Sequence, residues 1–268
     1  MKKNLFLISL FIIFNSCSIK NMAIKEIADI TDRGIKSKIF SEDNLVYAKD
    51  FLPSNLKLLE MIHSEKKTIK NAANLSLGLC GYGYAFWENE TEIANSFIKK
   101  GLYYSADFIS EKKLLLNSKA KDDTVEIFFS NLFCNLVYLE INRDNLEAQE
   151  KLSEIEEVTE KIYEINPNYF YGFIRAIKAY IMASKPSIVG GDIEKAKELF
   201  EGVVKENDFL LNKYLYMRYA VLVLDEELFE RIYNEIISWE NNNSPYAFFN
   251  KIAQMKAKRL KEAKDEYF

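Results

Sequence analysis

The chain has 268 residues, long enough to bury a substantial core in one large domain or two small ones. Nine glycines and four prolines are few, while Leu, Ile, Lys, Glu and Ala abound, a composition that favours helices. The formal charge is −4 and no long basic run occurs, which argues against nucleic acid as a partner.

The N-terminus reads Met1-Lys2-Lys3-Asn4, then an apolar run from Leu5 to Phe14 broken only by Ser9, then Asn15-Ser16-Cys17. A basic flank, a short apolar run and a small residue before a cleavage point make a secretion signal, the run falling short of the ~20 residues of a membrane-spanning helix. Residues 1–16 are therefore expected to be removed. Without Lys2 and Lys3, 34 basic face 40 acidic side chains, a balance of −6. Phe14-Asn15-Ser16-Cys17 resembles a relaxed lipobox with Phe14 in place of Leu, so Cys17 is expected to be the acylated first residue of the mature chain. The alternative is a signal cleaved without lipidation. Acyl chains contribute ~0.8 kcal/mol per buried CH₂ and would hold the protein to a membrane. A tether over 17–25 and a single helical domain over 26–268 follow.

An amphipathic piece around Ile24, Ile27, Ala28 and Ile30 ends before Gly34. Residues 41–48 read as a short capped helix, and Phe51-Leu52-Pro53-Ser54 as a break before a new helix from Asn55 to Ile62. His63, the single histidine, is placed at the surface, closing that helix. Asn74 to Trp87 is an apolar helix holding Gly78, Gly81 and Gly83. Each glycine costs roughly 1 kcal/mol relative to alanine, so either a neighbour approaches closely or the helix lines a channel or cleft. Its partner helix carries Ala94, Ile98 and Gly101 at helical spacing. Cys80 and Cys134 lie in apolar helical stretches outside any CxxC pair, so free buried thiols outrank a disulfide.

Residues 117–123 are polar and form a loop. A strongly apolar helix follows from Thr124 to Ile141, then a Glu-rich amphipathic one from Leu146 to Ile165 that closes on Asn166-Pro167. Asn168 to Tyr180 leads into the most informative stretch, where Pro186 and Gly190-Gly191 break the helix and Asp192 is the N-cap of the next. There Ala196, Phe200 and Val203 recur at i, i+4 and i+7, as in the second helix of a tetratricopeptide unit. Tyr214 to Leu224 is apolar all round except at Arg218, as expected of a central helix. Leu228 to Ile237 and Phe248 to Phe268 complete the pattern. Nothing alternates at period two. The expected fold is all-α, with tetratricopeptide-like helical hairpins in a superhelix or bundle.

One histidine argues against a His-rich metal site and against a Ser-His-Asp triad. Gly190-Gly191 lacks the downstream Gly-Lys-Ser/Thr of a phosphate loop, and Glu154, Glu156 and Glu157 read as a solvated helix face. No catalytic set, metal site or cofactor is expected, and the chain is read as a non-enzyme. The surplus is aromatic, 16 Tyr and 19 Phe. Most of these rings belong to the core, but Tyr82, Tyr84, Trp87, Tyr171 and Tyr180 are candidates to line a ligand surface, since each offers an apolar body with a polar tip. Arg175 and Arg218 interrupt apolar helices and are placed to meet either an anionic ligand or an internal carboxylate.

Several motifs occur in one order along the chain. They are Phe51-Leu52-Pro53 with Leu56-Lys57-Leu58-Leu59-Glu60, Tyr82-Gly83-Tyr84-Ala85-Phe86, Asn166-Pro167-Asn168-Tyr169-Phe170-Tyr171-Gly172, Val189-Gly190-Gly191-Asp192-Ile193-Glu194-Lys195-Ala196 with Phe200, and Phe249-Asn250-Lys251-Ile252-Ala253. In these the chain resembles the T components of TRAP-type transporters, the TatT lipoproteins; Phe51 stands where alanine is more usual. The resemblance implies a tetratricopeptide-like protein anchored to a bacterial envelope membrane and facing the periplasm. It further implies work beside a periplasmic TRAP solute-binding protein, a channel or pocket for a small, apolar or anionic organic solute, and a homo-oligomer, with a trimer suggested. It supplies no catalytic residue. The alternative of another class is a scaffold lipoprotein whose repeat surface holds envelope proteins together.

Overall fold

A computed structural model of the protein describes residues 22, 26–27, 29–111, 116–117, 119–240 and 243–268. The expected signal peptide at 1–16, Cys17 and all of the tether except Met22 lie outside the described residues. Among the described residues there are eleven α-helices and no strand. They are α1 (Leu45–Glu65), α2 (Ile69–Phe86), α3 (Thr91–Glu111), α4 (Asp122–Ile141), α5 (Leu146–Glu150), α6 (Leu152–Ile165), α7 (Phe173–Ser184), α8 (Ile193–Glu206), α9 (Leu210–Leu222), α10 (Glu226–Ile237) and α11 (Ala247–Glu262). The all-α expectation holds.

The first helix corrects the expected break at Pro53. Asn44 opens α1 by accepting from the Tyr47 N–H at 3.0 Å, and the helix runs through Pro53 without interruption. Pro53 has no N–H to offer the Lys49 carbonyl four residues back. The Tyr82 hydroxyl of α2 donates to that carbonyl instead, at 3.2 Å. A tertiary hydrogen bond replaces the one that proline removes.

Helices α2, α3 and α4 pack against one another, and glycine is what lets them close. A Cβ on Gly83 would sit 3.4 Å from the Ala94 carbonyl oxygen of α3, and one on Gly78 would stand 2.6 Å from Leu56 Cδ2 of α1. Gly81 meets nothing within 4 Å and faces open space. Gly78 and Gly83 are thus closely packed, and Gly78 and Gly81 border a small cavity. On α3, Gly101 lies against both cysteine sulfurs, and any Cβ there would run into Cys80 Sγ. Cys80 and Cys134 form a disulfide with Cα atoms 5.3 Å apart. The expectation of free thiols is overturned, because α2 and α4 turn their cysteine faces toward each other across a glycine. A sequence separation of 54 gives no local cue to that meeting.

The second half packs around α7 and α9. Helix α7 packs on α6, α8 and α9, while α9 packs on α8, α10 and α11. Ala196, Phe200 and Val203 of α8 are fully buried, so the spacing read from the sequence does mark the face turned to its neighbours. Helix α9 sits in the middle as expected, with Tyr216, Met217 and Ala220 buried. The segment before α1 meets α11: the Phe248 N–H of α11 donates to the Phe40 carbonyl at 3.0 Å, and the Phe40 and Phe249 rings meet at 4.8 Å.

His63 departs from its expected surface position. It lies in the last turn of α1 but is only 4% exposed, its ring set edge-on to Tyr104 at 5.3 Å and Phe108 at 5.9 Å. Burial, with Lys67 nearby and Asp107 opposing, lowers its pKa below the ordinary histidine value.

The turn between α7 and α8 is built as the sequence suggests. Gly190 has φ +87°, and a Cβ on Gly191 would overlap the Lys185 carbonyl. The Asp192 carboxylate accepts from the Lys195 N–H at 2.9 Å and caps α8.

Two stability measurements follow. Replacing Asp192 with alanine is expected to cost about 1 kcal/mol, read as a drop in urea midpoint at unchanged slope. Converting both Cys80 and Cys134 to alanine, or adding reductant, is expected to cost about 2–4 kcal/mol, since the bond closes a long loop.

Candidate functional site

Helices α4, α6, α7 and α9 line a cavity of about 680 Å³ that opens to solvent, of a size that holds a small organic molecule. Phe133 and Leu136 of α4, Ile155 of α6, Ile177 of α7 and Leu215 of α9 give it an apolar body, and Tyr84 enters from α2. Helix α4 is long and apolar enough to cross a membrane, but half of its most apolar window is buried in this packing.

Charge is confined to parts of the wall. Arg218 donates to Glu140 at 2.6 Å, Arg143 donates to the other oxygen of the same carboxylate at 2.5 Å, and the Arg218 guanidinium lies 4.9 Å from the Tyr180 ring centre. Burial pushes the Glu140 carboxyl up, but Arg218 and Arg143 outweigh it and hold the pKa below the usual value. Two guanidinium groups meet one carboxylate, so this side of the cavity carries an excess positive charge. Burial raises the Tyr84 and Tyr214 hydroxyls, which stay protonated. Farther along the wall Lys185 pairs with Glu156.

A second, smaller and almost wholly apolar cavity of about 80 Å³ lies against α1, α2 and α11, lined in part by Leu52, Leu56, Gly81 and Phe248. Tyr84, Phe133 and Phe173 border both cavities and form an aromatic partition between them. One face of Tyr84 is held by Lys256, whose Nζ lies 3.4 Å from the ring centre. Lys256 is 2% exposed and pairs with Glu88, which also accepts from Arg259 at 2.5 Å. Burial draws the Lys256 pKa down to about 8, against the opposing pull of Glu88.

Of the residues singled out from the sequence, Tyr84, Tyr180 and Arg218 meet at the larger cavity. Tyr82 borders the smaller one and commits its hydroxyl to Lys49. Trp87 lies outside the residues lining both, with Lys49 Nζ 4.4 Å from its ring centre. Tyr171 lies in an aromatic cluster with Phe209 and Tyr246, at a left-handed φ of +59°, and its carbonyl accepts from Asn207 and Asn212. Arg175 is engaged through two nitrogens by Glu206. Gly190, Gly191 and Asp192 shape the turn, and Gly190 borders a small recess that shares Glu156, Ile181 and Lys185 with the larger cavity.

Sequence reading missed Glu140, Arg143 and Lys256. A signal existed for Lys256, which continues the apolar register of Phe249, Ile252 and Ala253 on α11, where a lysine has to be paired or covered. Glu140 and Arg143 lie three apart where the apolar α4 ends, a position that reads as a solvated terminus until α9 brings Arg218 beside it.

Fold and cavity together define an all-α helical bundle with two adjoining cavities. The sequence profile of the TRAP transporter T-component family matches residues 41–268, and the chain belongs to that family. Membership gives it a role in a TRAP transport system, beside other TRAP components and in association with the bacterial envelope. A search of curated proteins returned no match.

The Arg143–Glu140–Arg218 cluster makes a prediction. The folded pKa of Glu140 lies below its unfolded value, so the cluster adds stability above the ordinary carboxylate pKa and loses it as pH falls through the folded one. Arg218→Met leaves Glu140 with the more exposed Arg143 alone and is expected to cost ~3 kcal/mol at pH 7, with a smaller stability loss than wild type between pH 7 and 3.5. Urea unfolding at the two pH values measures both.

Proposed function

We propose that the protein is a lipid-anchored, periplasm-facing component that binds the TRAP solute-binding protein and holds a small organic solute in its larger cavity. The observation that carries this reading is the cavity itself, an apolar chamber with surplus positive charge at Arg218 and Arg143. That wall suits a molecule with an apolar body and an anionic group. The Cys80–Cys134 bond supports an oxidising compartment, and the signal and Cys17 motif of the sequence supply the anchor. The buried Ala196-Phe200-Val203 face, with α7 packing on both α8 and α9, supports tetratricopeptide-like hairpins. We propose no enzymatic step.

One observation favours the scaffold alternative. On α1, Tyr47, Phe51, Leu58 and Met61 follow one helical stripe, and Tyr47, Leu58 and Met61 are 58%, 50% and 60% exposed. A scaffold would use that stripe and leave the cavity empty.

Native mass spectrometry of protein taken from membranes separates the two readings. A bound small-molecule mass is expected on the wild type and is expected to fall in occupancy in Leu215→Trp, which narrows the chamber; protein free of any such mass from every preparation would count against solute holding. Palmitate labelling in cells is expected to be lost in Cys17→Ala, and an unlabelled wild type would refute the anchor.

A further inference from the structure

Backbone hydrogen bonds hold the turn after α7. The Val189 and Gly191 N–H groups donate to the Pro186 carbonyl at 3.0 and 3.1 Å, and the Asp192 N–H donates to Met182 at 3.2 Å. What this rigid turn holds outward is apolar: Ile188 is 92% exposed and Val189 57%. Neither side chain contributes to the core, and polar residues would satisfy the same backbone.

The next hairpin brings more of the same to this end of the bundle. The Tyr219 hydroxyl of α9 donates to the Ile193 carbonyl at 3.2 Å, tying the end of α9 to the start of α8, and Glu194 and Asp225 both bear on that hydroxyl. Ile193, Leu222 and Leu224 are exposed here as well. Leu224 adopts φ +55°, a left-handed conformation that costs a branched side chain roughly 1 kcal/mol or more and that Gly or Asn takes readily. An exposed leucine in a strained position, at the same end of the bundle as an exposed isoleucine on a hydrogen-bonded turn, marks a surface preorganised for a partner. The cavity reaches the same place, since Ser184 and Lys185, immediately before the turn, line it.

We propose that this end of the bundle, centred on Ile188 and Leu224, is the surface on which the TRAP solute-binding component docks, seated over the cavity so that solute passes between the two. This rests on the proposed function for the identity of the partner. The chemistry asked of that partner is an apolar depression rimmed by basic side chains, because Asp192, Glu194, Asp225 and Glu227 outnumber Lys185 and Lys195 around the apolar group. A second copy of this chain docked on the same face would set acid against acid.

Full-length protein in detergent, titrated with the purified TRAP solute-binding component of the same organism in biolayer interferometry, tests the surface. Ile188→Glu and Ile188→Glu/Leu224→Glu are expected to weaken binding about ten-fold or more at an unchanged melting temperature, whereas Leu58→Glu on the α1 stripe binds as wild type. Wild-type affinity in the double variant would overturn the surface and leave the proposed function standing. Absence of binding by the wild type would overturn the partner and the surface together. A fall in molar mass of Ile188→Glu in light scattering would assign the face to a second copy and likewise overturn the proposal.

Discussion

The close approach of α2, α3 and α4 around the Cys80–Cys134 bond is the constraint on which the internal space depends. Gly101 admits the two sulfurs between helices, and Gly83 lets α3 sit against α2 at the same level. With α2 fixed in this way, Tyr82 is presented to the carbonyl that Pro53 leaves open on α1, and Tyr84, two residues on, stands at the partition between the cavities. A looser α2 would lose the hydrogen bond that allows α1 to run through a proline. It would also lose the ring that divides the bundle interior.

The electrostatic arrangement follows from that packing. Charges drawn into a helical core must be paired, and two of the pairings here touch the partition or the chamber. Lys256 is held between Glu88 and the Tyr84 face, and Arg218 between Glu140 and the Tyr180 face. The two clusters hold the faces of Tyr84 and Tyr180.

Membership in the T-component family was legible before the structure, through motifs that the fold now explains one by one. The Phe-Leu-Pro segment is a helix interior rescued by a tyrosine from the Tyr-Gly-Tyr motif. The Asn-Pro-x-Tyr-x-Tyr-Gly step ends in left-handed Phe170, Tyr171 and Gly172, where the Tyr171 carbonyl takes two asparagine side chains. The Gly-Gly-Asp turn is close backbone contact followed by an N-cap.

By itself the sequence determined what depends on neighbours three to seven residues apart: the helical class, the buried face of α8, the cap at Asp192 and the central place of α9. Helical spacing reports which face is apolar, and those faces did pack. Only the tertiary structure decided what depends on groups brought together from far along the chain. The pairing of Cys80 with Cys134, the continuity of α1 through Pro53, the burial of His63 and the meeting of Glu140 with Arg218 each require a partner on another helix. Of the candidate residues, the structure gathered Tyr84, Tyr180 and Arg218 at one chamber and set Trp87, Tyr171 and Arg175 elsewhere. Periodicity gives the face a side chain lies on, and the angle between helices decides which space that face encloses.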